Sequence, residues 1–102
     1  LCITQRFLYG SRPYADVIDF ADRLAAEARR LGADRGHAFG VTLRGEARLL
    51  SGQLDAAEAD LLEGGRLHRA IGGATGEALC LQRRAELAHH RGEPGRAAAL
   101  LA

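Results

Sequence analysis

The apolar positions of the chain step by three and four: Tyr14, Val17, Ala21, Leu24, Ala28 and Leu31 fall on one face of a helix. Adding 40 to each number gives Leu54, Ala57, Leu61, Gly64, His68 and Ile71, and adding 40 again gives Pro94, Ala97 and Leu101. A second set repeats at the same interval: Leu1, Val41 and Leu81, then Gln5, Gly45 and Ala85, then Leu8, Arg48 and Ala88. Helix punctuation falls between these runs. Pro13 and Pro94 stand where a first helical residue belongs, and Gly32, Gly52, the Gly72-Gly73 pair and Gly92 stand where helices end. Proline needs no partner for its missing N–H, and glycine takes the left-handed cap conformation freely. Asp34, then Gln53 or Asp55, then Thr75 are expected to cap the helix starts in between. No stretch alternates with period two, so no strand is predicted.

The unit is therefore a helical hairpin of 40 residues present about two and a half times, with copies over about 1–33, 34–73 and 74–102 of a single domain. Within it, Gly45 and Ala85 are small residues in the first helix, Gly52 and Gly92 precede the turn, Ala57 and Ala97 come early in the second helix, and Leu61 and Leu101 follow one turn later. This pattern resembles tetratricopeptide repeats. The resemblance implies an all-α fold in which antiparallel helical hairpins stack as a right-handed solenoid, with a concave groove lined by the first helices. Carried over by position, the groove residues are Thr42, Leu43, Glu46, Leu49 and Leu50 in one copy and Gln82, Arg83, Glu86, His89 and His90 in the next.

Long second helices and phrases such as YADVIDFADRLAAEARRLG are similar to the helical-repeat regions of large LuxR-type, ATP-dependent transcriptional regulators of high-GC bacteria. That similarity implies a non-catalytic module. It would bind a protein or peptide partner, or a small effector, and couple the signal to ATPase and DNA-binding domains outside this chain.

Composition narrows the choice. The 102 residues carry 14 basic and 13 acidic side chains, a net charge of +1, so no overall field draws the chain to nucleic acid or an anionic membrane. Every basic residue is Arg, and Lys, Asn, Met and Trp are absent, which points to a high-GC genome. The longest apolar run, Ala97 to Ala102, is far short of the roughly 20 residues that span a bilayer. The opening LCITQRFLYG reads as neither a signal peptide nor a natural start, so the chain is expected to be a piece of something longer. Cys2 and Cys80 are expected to be reduced thiols in cytoplasm.

Candidate chemistry is thin. Without lysine or a G-x-x-x-x-G-K run there is neither a P-loop nor a Schiff-base lysine, and helix caps account for Gly72, Gly73 and Gly76. Glu86 and His89 have the Glu-x-x-His spacing of four-helix di-metal sites, but Leu49 stands where the second histidine would be beside Glu46. A solvated face is the plainer account, and a metal-using helical-bundle enzyme remains only a distant alternative. No cofactor is expected. His37 reads as surface, His68 as a hydrogen-bonded packing histidine, Ser51 as turn chemistry and Cys80 as a small buried hydrophobe. Arg83 and Arg84 with Arg91 and Arg96 suggest an anion-binding strip, but Glu86 and Glu93 interleave with them, as Glu46 does with Arg44 and Arg48, and a solvated helix face is the better reading.

A spacer or self-association module is the competing class. Leu1, Ile3, Phe7 and Leu8 at one end, with Leu100 and Leu101 at the other, leave both ends without a polar cap and suggest a homodimer through an open end.

Overall fold

A computed structural model describes residues 14–101. Among them are five helices and no strand: α1 (Tyr14–Leu31), α2 (Asp34–Leu50), α3 (Leu54–Ala70), α4 (Ala74–His90) and α5 (Pro94–Leu101). No helix among the described residues is long and apolar enough to cross a membrane. Pro13 and the apolar residues Leu1, Ile3, Phe7 and Leu8 lie outside the described residues.

The turns set the geometry. Gly32, Gly52, Gly72 and Gly92 all take positive φ, between 71° and 82°, at a spacing of twenty residues. At each, two backbone bonds close the helix end. Gly32 N–H donates to Arg29 O and Ala33 N–H to Ala28 O, and the same pair recurs at Gly52 and Gln53, Gly72 and Gly73, and Gly92 and Glu93. This double closure satisfies the last carbonyls of the finished helix. The residue after each glycine then opens the next helix, its carbonyl accepting from four residues on, as Ala33 O does from His37 N–H.

The starts therefore differ from the sequence expectation. The residues in the cap position are Ala33, Gln53 and Gly73, and none makes a side-chain cap bond. Asp34 is already the first helical residue, while Asp55 and Thr75 lie inside the first turn. Turn closure fixes the start through the backbone alone, leaving a capping side chain little to add. Asp34 still places its charge at the positive end of the helix.

Neighbouring helices run antiparallel, as connections of two or three residues require. Ideal Cβ atoms built at Gly36 and Gly40 would meet Ala28 and Ala25, and one built at Gly45 would meet Asp60 and Leu61, so contact positions fall on one helix as they rise on the next. Helices two apart run parallel: Thr42 and Glu46 of α2 reach Cys80 and Arg83 of α4, and Glu58 of α3 reaches Arg96 of α5. Alternate helices thus form two layers, in keeping with a smallest molecular extent of 23 Å against roughly 10–12 Å per helix.

The core is dominated by alanine. Val17, Ala21, Leu43 and Ala47 pack between α1 and α2; Leu49, Ala57 and Leu87 join α2, α3 and α4; Ala85, Ala88 and Ala97 join α4 and α5. Small side chains bring the backbones close and save side-chain entropy on folding. Of the stripe predicted on α3, Ala57, Leu61 and Gly64 are buried, and Gly64 sits where an added Cβ would come within 2.6 Å of Thr42 Oγ1.

Candidate functional site

Helix α2 has neighbours on three sides. Gly40, Leu43 and Ala47 face α1, Arg44, Gly45 and Arg48 face α3, and Thr42, Glu46 and Leu49 face α4. What stays open is the strip carrying Phe39 and Leu50, 44% and 54% exposed. The sequence placed Thr42, Leu43 and Leu49 in a groove, and this is corrected: all three are buried. Leu43 turns toward α1, and Thr42 and Leu49 turn toward α4.

Thr42 is a junction. Its Oγ1 shares a hydrogen bond of 3.1 Å with His68 Nε2 and lies 3.5 Å from Cys80 Sγ, so one hydroxyl ties α2 to α3 and α4. His68 is thereby the hydrogen-bonded packing histidine its place on the apolar stripe suggested. Cys80 is a buried free thiol whose ionisation is pushed up by burial, partly offset by the bond to Thr42. A thiol held neutral is a poor nucleophile.

Of the remaining groove positions, Glu46, Arg83 and Glu86 come together across α2 and α4. Arg83 Nε donates to Glu46 Oε2 at 2.8 Å, and Arg83 Nη1 donates to Glu86 Oε1 at 2.7 Å. The guanidinium is held more firmly protonated than usual, chiefly by the bond to Glu46. Gln82, His89 and His90 are exposed. His90 and Leu50 occupy the C-terminal ends of the parallel pair α4 and α2, so this face combines an apolar strip, a charged bridge and imidazoles at one end. Glu86 is committed to Arg83, and among the described residues no three His, Cys, Asp or Glu side chains are grouped to hold a metal ion.

Sequence reasoning missed the most buried charge. Asp60 is 5% exposed and accepts from three nitrogens: Arg44 Nε at 3.1 Å, Arg44 Nη2 at 2.9 Å and Arg48 Nη1 at 2.8 Å. Arg44 Nη1 also donates to Asp22 at 2.6 Å, so one network binds α1, α2 and α3. These arginines had read as a solvated face. The available signal was an acid inside the α3 stripe, three residues after Ala57 and four before Gly64, with arginines four apart on the preceding helix. At the other end, Leu101 is 61% exposed, while Leu100 is partly buried against Ala85, Ala88 and Ala97.

No family model, curated protein or solved structure matches the chain.

Proposed function

We propose that the chain is a non-catalytic binding module of tetratricopeptide-like, right-handed helical repeats, and that in its parent protein it couples a protein, peptide or small-effector signal to the output of a LuxR-type transcriptional regulator. The observation that carries the reading is the face shared by α2 and α4, where Phe39 and Leu50 are exposed beside the Arg83–Glu46 bridge. Parallel helices presenting an apolar strip with fixed charges suit recognition of an extended or helical segment, in which apolar anchors supply affinity and ion pairs supply register. Glu86 is committed to Arg83, and Cys80 is buried with its ionisation pushed up, so neither is offered on this face as a base or a nucleophile.

Two tests bear on it. The reading frame containing this sequence encodes an ATPase segment and a C-terminal helix-turn-helix if the regulator assignment holds, and lacks both if it fails. In the parent protein, Arg83→Ala with His90→Ala weakens partner or effector capture by roughly tenfold, the size expected for removing a central charged anchor. The melting temperature of the double variant controls for folding. Unchanged capture would favour the spacer reading.

A further inference from the structure

The two helix pairs treat the same arginine differently. Arg44 of α2 is gripped by two carboxylates, Asp60 in a two-pronged fork and Asp22 through Nη1. Forty residues on, Arg84 of α4 stands at the equivalent place, but Leu62 replaces Asp22 and Leu100 replaces Asp60. Among the described residues Arg84 has no ion-pair partner, and its Nε is buried without an acceptor. Arg48 and Arg91 also have a buried, unbonded Nε, but their terminal nitrogens are engaged by Asp60 and by Asp55 and Glu58. Arg84 alone of the three carries an uncompensated charge.

That charge lines a cleft of about 290 Å³ between α3 and α4. Its apolar wall is Leu61, Leu62 and Leu81, and Arg69 at the rim is paired only with Glu77, loosely at 3.9 Å. The volume is near the lower end for small-molecule sites, roughly 300 Å³. We propose that this cleft binds a small monocarboxylate on a short apolar stem, the carboxylate engaging Arg84 from the side on which Asp22 engages Arg44 and the stem lying on the leucines. A guanidinium fork matches a carboxylate with two parallel bonds, and a half-buried guanidinium gains most from such a partner. Leu62, in place of Asp22, supplies contact for the stem together with Leu61 and Leu81, and Glu77 disfavours a second negative charge. The site is on the α3/α4 seam, apart from the open strip of α2, so its fate is separate from that of the partner-binding face.

The test is an NMR titration of the ¹⁵N-labelled 102-residue chain with hexanoate at low ionic strength, beside acetate and the uncharged hexanamide. Saturable shifts are expected at the amides of Gly65, Cys80, Leu81 and Arg84. Acetate should bind at least fivefold more weakly, for want of the stem, and hexanamide should not saturate. Arg84→Gln should weaken hexanoate at least tenfold, and the comparison of the three ligands on the unaltered chain stands even if that variant folds poorly. Hexanamide matching hexanoate would overturn the proposal, as would acetate matching it, shifts that survive Arg84→Gln in a folded variant, or no saturable shift up to about 50 mM, above which weak non-specific binding dominates.

Discussion

Gly65 and Gly40 look alike in the sequence, each a glycine inside a helix, yet substitution by alanine should move stability in opposite directions. In the α1/α2 pair Ala25 faces Gly40; forty residues on, Gly65 faces Cys80, so the glycine has changed sides. An ideal Cβ at Gly65 meets Cys80 Cβ at 3.5 Å, an ordinary contact, whereas one at Gly40 lies 2.8 to 2.9 Å from the N, Cα and Cβ of Ala25. Alanine in a helix interior is worth about 0.8–1.0 kcal/mol over glycine. The half-buried methyl at 65 adds a few tenths more, from about 0.8 kcal/mol per fully buried methylene. Gly65→Ala should therefore stabilise the chain by about 1 kcal/mol, which raises the urea midpoint by roughly 0.7 M at a slope near 1.5 kcal/mol/M. Gly40→Ala gains the same propensity but forces α1 backbone away, and overpacking of about 1–3 kcal/mol or more outweighs it. Urea unfolding followed by circular dichroism at 222 nm separates the two. A lower midpoint for Gly65→Ala, or a higher one for Gly40→Ala, would refute the packing account.

Three further outcomes follow from the interior. Asp60→Asn leaves Arg44 and Arg48 with a neutral partner in a half-buried site and should cost about 2 kcal/mol or more, whereas Asp22→Asn at an exposed position should cost about 0.5 kcal/mol or less, both read from thermal melts. Because the folded-state ionisation of Cys80 is raised while the unfolded thiol titrates near 9.0, unfolding should become easier as pH rises through that value. Cys80→Ala should flatten this alkaline slope in urea titrations between about pH 7.5 and 10, spanning the usual thiol range. Leu101→Asp should reduce concentration-dependent association in sedimentation, and a chain that stays monomeric with Leu101 intact at high concentration would remove the open-end account of self-association.

The helices, their order and their turns were legible because apolar period and glycine placement report local geometry, the stripes recurring every 40 residues and the turn glycines every twenty. The faces of α2 were not. Periodicity locates one buried stripe, but a helix with neighbours on three sides buries most of its length, so Thr42 and Leu49 went to α4 and, of its large apolar residues, only Phe39 and Leu50 stayed open. Charge was the second blind spot. A single sequence cannot tell an arginine that reaches a neighbour's carboxylate from one in water, and Asp60 became visible only when α2 and α3 were seen to bring three donors to it. Arg83 and Glu46, assigned together by position, did prove to be in contact.

The changed side of the glycine has a consequence for how such a chain avoids folding wrongly. Helices of similar length could trade partners if the turns between them opened, α1 docking on α4 in place of α2. In that exchange Ala25 would face Cys80, two side chains where the interface has room for one, while Gly40 and Gly65 would be left opposite each other across a void. Each correct pair has one glycine and one Cβ; each exchanged pair has two of one kind. The mismatch penalises the swapped topology from both sides, as clash and as cavity, and so lets a repetitive sequence keep its neighbours in order.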